Sequence, residues 1–180
     1  MDARERILKR FQDCLKTIGV GIVFVLPHAA RGTTQTNLAG RVFSRMVPDA
    51  ELEGAQTPRV EFITSAGDAD EISYGDDNLY FATTRVRLWG YCDSADAGVS
   101  PDATVRPILN QLRADLIIAM HAAPFWTGPE PDQTDSLVKI LGARLSVNLL
   151  RQWTSVETQS PRGEVLLEFE IGYPFSVSDP

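Results

Sequence analysis

The sequence predicts an α+β fold, an antiparallel β-sheet packed on one face by two or three helices, in a single domain spanning residues 1–180. Two segments carry apolar residues at three- and four-residue steps, the period of an amphipathic helix. Others alternate apolar and polar residues, the period of a half-buried strand. The order is helix, strand, strands, helix, strands, with neither regular βαβ alternation nor an internal repeat, which favours an antiparallel sheet over a doubly wound parallel one.

The first helix is expected from Asp2 to Ile18. Ile7, Leu8, Phe11, Cys14, Leu15 and Ile18 form its apolar stripe, and Arg4, Glu5, Lys9, Arg10, Asp13 and Lys16 take the other face. Gly19 suits a left-handed cap, and Val20 to Leu26 follows as a β-branched strand stopped by Pro27. Residues 28–40, rich in Gly, Thr, Asn and Gln, read as a flexible loop or arm without apolar anchors, ordered by a neighbouring subunit. Arg41 to Met46 is a short strand before Pro48.

Arg59 to Thr64 alternates Val60 and Phe62 with Arg59 and Glu61, and Leu79 to Tyr91 is a longer alternating run. These are expected to pair antiparallel across an acidic, Gly-rich loop, Ser65 to Asn78. In the longer strand Tyr80, Ala82, Thr84, Val86 and Leu88 share one face, and Phe81, Thr83, Arg85, Arg87 and Trp89 the other. Ser100 and Pro101 resemble an N-cap and first-turn pair for a second helix reaching about Ala122, with Leu112 and Leu116 directed at strand residues such as Phe169 and Ile171. Pro124, Pro129 and Pro131 break the chain, Asp135 to Leu141 forms a short third helix, and strands Ala143 to Thr158 and Glu164 to Tyr173 close the sequence around a turn at Arg162 and Gly163.

With 43% apolar and 23% charged residues, the chain has the makings of a packed interior. Seventeen basic against twenty-four acidic residues give a net charge of −7, which repels phosphate and argues against sequence-specific nucleic-acid binding. The cysteines, Cys14 and Cys92, are too few for a disulfide framework and suit a reducing cytoplasm. No apolar run approaches the roughly 18 residues of a membrane span, and the charged N-terminus does not read as a secretion signal.

Catalytic chemistry has little to work with. His28 reads as a loop residue, and His121 falls in the last turn of the second helix, where a cation suits the helix dipole. Cys14, Cys92, His28 and His121 lack the close spacing of a zinc site, so no metal and no cofactor is expected. Cys14 belongs to the core, and Cys92, ending a strand, is expected half exposed. The tract Gly67 to Asp77 fails the calcium-loop pattern, since counting from Asp68 places Ser73 where glycine is required. Gly19-Val20-Gly21 follows a helix and precedes a strand, the reverse of a dinucleotide fingerprint.

The helix Arg4 to Ile18, the strand Pro58 to Ile63, the strand Tyr80 to Tyr91, the helix Val105 to Met120 and above all the ending Pro161-Arg-Gly-Glu-Val-Leu-Leu-Glu-Phe-Glu-Ile-Gly-Tyr173 resemble the tail terminator, or tail completion, family of long-tailed bacteriophages. The resemblance is one of layout over most of the chain. It departs from a minimal member in the length of residues 28–40 and of the proline-rich stretch from Ala123 to Pro131.

The resemblance implies a non-enzymatic virion protein of the tail or neck, assembled in the host cytoplasm. It would form a homo-oligomeric ring, usually a hexamer, that caps the tail tube protein and docks the head-tail connector or stopper protein. DNA would pass through without specific binding, and no membrane is involved. Such a ring closes through heterologous contacts. Arg31, Arg41 and Arg45 are candidates for subunit or partner contacts; Asp68, Asp70, Glu71, Asp76 and Asp77 are candidates for the channel or its rim, where carboxylates repel the duplex, the alternative being that this acidic loop lies on the outer surface of the ring. Other neck, stopper, minor tail or baseplate proteins share the acidic, chemistry-free character and differ in the partner they bind. A small enzyme would need a nucleophile elbow, phosphate loop or metal set, none of which the sequence offers, and a small-ligand binding module would answer to a thermal-shift screen.

Overall fold

The structure is a computed structural model and describes residues 3–18, 38, 41–44, 57–64, 71–74, 79–93, 105–156 and 162–176. Helix α1 runs Ala3–Lys16. Strands β1 (Val42–Phe43), β2 (Arg59–Thr64), β3 (Glu71–Tyr74) and β4 (Leu79–Asp93) follow. Helix α2 spans Arg106–Ala122 and α3 Leu137–Leu141, with 3-10 turns at Pro131–Gln133 and Gly142–Arg144. Strands β5 (Ser146–Val156) and β6 (Arg162–Ser176) complete the order.

The architecture is α+β. A six-stranded sheet is ordered β1-β2-β4-β6-β5, with β3 pairing β4 beside this path. Strands β4 and β6 form its spine, antiparallel from Leu79 opposite Ser176 to Asp93 opposite Arg162. The sheet is mixed where a wholly antiparallel one was expected, because β1 pairs parallel to β2, Val42 opposite Val60. The connection from Phe43 to Arg59 is long enough for the crossover of about a dozen residues that a parallel pair needs.

Alternation along the strands sorts the side chains as expected. Val60, Phe62, Val86, Leu88, Val165, Leu167, Phe169 and Ile171 are fully buried on one face. Ile7, Phe11, Cys14 and Leu15 of α1 and Leu109, Leu112, Leu116 and Met120 of α2 join them in one core. The Cys14 thiol points at the carbonyl of Ala119, 3.7 Å away, tying α1 to α2. Leu112 and Leu116 meet the sheet around Gly90, where a Cβ would lie 3.1 Å from Leu112 Cδ2, 3.4 Å from Leu116 Cδ1 and 2.8 Å from Val165 Cγ1. The absent side chain lets α2 settle on β4.

Several expectations are corrected. The four-residue strand β3 lies inside the tract read as an acidic loop. Helix α2 begins at Arg106 with a proline in its first turn, five residues beyond Pro101, which lies outside the described residues. Cys92 is buried, because it falls on the helix-covered face opposite Gly163. Arg10, assigned to the solvent face of α1, is only 4% exposed. Leu38 anchors the end of the supposed arm: it is buried, and its N–H donates to the Ile18 carbonyl at 3.1 Å. The expected strand from Val20 to Leu26 and the rest of the arm lie outside the described residues.

Candidate functional site

The sequence-predicted contact and channel residues fall mostly outside the described residues: Arg31, Arg45, Asp68, Asp70, Asp76 and Asp77. Arg41 is described, and its Nη1 donates to the Thr57 carbonyl at 2.8 Å, bracing the chain ahead of β2. Glu71 opens β3, opposite Thr83 of β4.

The structure instead draws attention to the sheet face turned away from the helices. The register places Glu61, Trp89, Leu166 and Trp153 in one row across β2, β4, β6 and β5. The next row on one side is Arg59, Tyr91, Glu164 and Ser155, and on the other Ile63, Arg87, Glu168 and Arg151. Trp89 and Tyr91 lie parallel with ring centroids 6.2 Å apart, and the Arg59 guanidinium sits 4.4 Å over the Tyr91 ring. Glu168 lies between two arginines, 3.7 Å from Arg87 and 3.9 Å from Arg151. Both arginines are well exposed and the carboxylate is shielded, so the pairs orient the face more than they stabilise the fold.

Strand β5 bounds this face and pairs, among the described residues, only with β6. A bulge between Leu149 and Arg151 shifts the alternation and leaves Leu150 beside Leu149. Leu150 is 43% exposed and Trp153 51%. Among the described residues β5 is therefore an eleven-residue edge strand that sets exposed leucine and tryptophan beside a free edge. The sequence carried one sign of this: Leu149 and Leu150 break the period-two pattern, the mark of a bulge.

On the opposite side of the molecule a cleft of about 120 Å³ opens between α1 and α3, lined by Ile7, Leu137, Ile140 and Leu141 with Arg6, Lys9, Arg10 and Gln133. Among the described residues no group of three or more His, Cys, Asp or Glu is placed to hold a metal. Burial pushes the Cys14 thiol up to about 12 from its ordinary 9.0, against the pull of the nearby Arg10 guanidinium, so it is a protonated core group rather than a nucleophile. His121 lies at the end of α2, its ring edge-on to Phe169 at 6.1 Å. No described helix is long and apolar enough to cross a membrane.

No protein-family model matches the chain, and no curated protein does. Among solved structures it is similar to a chain of the virion of a native gene transfer agent particle, with 12% identity over 76% of this chain and 81% of that one, at a TM-score of 0.35.

Proposed function

We propose that this chain is a structural virion protein of a long-tailed bacteriophage that caps the tail tube as a ring and offers a docking surface to the head-tail connector or stopper. The observation that carries this reading is strand β5, which among the described residues is an edge strand and carries exposed Leu150 and Trp153 on either side of the exposed Arg151. Such a surface suits association with protein, and the sequence layout resembles tail terminators. The net charge of −7 fits a ring through which DNA slides without being held.

The test is the mass of the purified chain in solution together with electron-microscope images, alone and mixed with tail tube protein. A closed ring that binds tube ends and stops their growth is the expected outcome. Trp153→Glu should weaken assembly or tube binding while leaving the unfolding free energy within about 0.5 kcal/mol of the parent, as for other exposed positions. A chain that stays monomeric at all concentrations and ignores tube ends overturns the reading.

A further inference from the structure

From Leu150 to Thr154 five successive residues of β5 are exposed. Gln152 and Thr154 lie opposite Leu167 and Val165 on the helix-covered face, yet those two are fully buried while Gln152 and Thr154 stay open. This part of the strand is therefore uncovered on both faces as well as along its edge. We infer that it pairs with the same edge of a second copy, antiparallel about a two-fold axis at Trp153, so that the two sheets run on as one. The contact goes beyond the proposed ring, whose joints are heterologous, because a two-fold contact closes with two copies.

The register follows from the strand itself. Paired residues share a face, so a strand that pairs antiparallel with its own copy has one residue on the axis. The bulge after Leu149 leaves Arg151 to Val156 as the regular stretch. An axis at Gln152 would set the two Arg151 side chains diagonally across from each other, about 7–8 Å apart, like charge facing like. An axis at Thr154 would carry Arg151 past Val156, the last residue of the partner strand. At Trp153 the tryptophans face each other, Gln152 faces Thr154, and Arg151 faces Ser155.

Charge supports the same register. Ser155 is paired within its own sheet with Glu164 of β6. Arg151 of the second copy thus extends the row of Glu164 and Ser155, two strand spacings or about 10 Å from Glu164 at the backbone. An arginine and a glutamate side chain together span that distance over a short serine. Glu164 has no ion pair among the described residues. Arg151 can turn to it, since its side chain is 84% exposed and it shares Glu168 with Arg87, which stands nearer at 3.7 Å against 3.9 Å. The axis repeats the pair at the other end. Trp153, half exposed in the single chain, becomes the centre of the contact, where aromatic anchors contribute most. Around that residue the edge holds the complement of each of its own groups, aromatic to aromatic, amide to hydroxyl and cation to carboxylate, which selects a second copy as the occupant.

Two experiments on the full chain test this. In the first, Gln152→Cys and Thr154→Cys are made as separate chains. Both positions are exposed and the native Cys14 and Cys92 are buried. Mild oxidation of the two chains mixed should give a linked pair on a non-reducing gel, and neither chain alone should link to itself. Linking of either chain alone, or none in the mixture, overturns the inference.

In the second, Arg151→Glu and Glu164→Lys are made separately. Each sets like charges together at both ends of the contact and should raise the dissociation constant of the pair by about tenfold or more. Mixed in equal amounts, the two chains meet with opposite charges at both ends. The parent's affinity should then return, which also shows that both are folded. Parent-like affinity in either variant alone, or no recovery on mixing, overturns the inference. A parent chain that forms a ring yet fails both experiments loses this contact and keeps the proposed function; a linked pair without a ring does the reverse.

Discussion

A methyl group added at Gly90 would meet Val165 Cγ1 at 2.8 Å, closer than non-bonded carbons approach, with Leu112 and Leu116 of α2 barring its retreat. All three neighbours are fully buried, so either the helix lifts or the leucines leave their rotamers. Gly90→Ala is expected to cost about 1–3 kcal/mol, the usual range for overpacking, read as a lower urea midpoint with an unchanged slope. Cys14 makes a different demand. Its folded-state pKa lies above its unfolded value, so the thiol favours the folded state fully below pH 9 and progressively less as pH rises from 9.0 toward about 12. Stability should fall across that window by at most about 1.4 kcal/mol per pH unit on this group's account. Cys14→Ala, although less stable at pH 7 for the loss of packing, should show a shallower alkaline decline; parallel curves for the two proteins would remove the thiol as the cause.

Among the elements, the stretch between α2 and α3 is held by side chains rather than by regular structure. Arg10 Nη1 lies 3.2, 2.9 and 3.1 Å from the carbonyl oxygens of Trp126, Gln133 and Asp135, and its guanidinium sits 5.8 Å from the Trp126 ring centroid. Gln133 Nε2 donates to Asp13 at 2.8 Å, so α1 grips this stretch at two points. Arg10→Ala leaves buried acceptors without their donor, at about 1–3 kcal/mol for each one left unsatisfied. Hydrogen exchange should quicken from Phe125 to Gln133 before it does in β4 and β6; unchanged exchange there would deny Arg10 this role. The grip was illegible in the sequence, because an arginine at the border of an amphipathic stripe looks solvated until its acceptors, more than a hundred residues away, are seen. By contrast α1, β2, β4, α2 and β6 were legible, since long periodic runs carry the signal many times over. Strand β3 was not: four residues in an acidic, glycine-rich tract offer no repeated period, and only pairing with β4 makes them a strand. Of the candidate surface, the sequence held the broken alternation at Leu149 and Leu150, but the exposure of Trp153 depends on β5 being an edge, a property of strand order.

For the whole molecule, the question is how a sheet with an exposed apolar edge avoids pairing indefinitely. A strand such as β5 can template further strands, and an interface that does not close yields open fibres instead of rings. The bulge after Leu149 interrupts the regular edge. Beside it Arg151, its side chain 84% exposed, sets a charge between Leu150 and Trp153 and is steered toward Glu168 at 3.9 Å. An arginine there admits a partner that meets the charge and discourages unguided addition of a second edge. Arg151→Val places a β-branched residue, favoured in strands, where the charge stood and removes the guard, so it should fold with stability within about 1 kcal/mol of the parent. Its assemblies, however, should grow past the parent's mass into species of no fixed size, visible as rising light scattering with time and concentration. Addition of a charge at the neighbouring exposed position, Trp153→Lys, should suppress that growth in the double variant. If Arg151→Val keeps the parent's single mass, the bulge alone limits the edge and the arginine's charge is not what guards it.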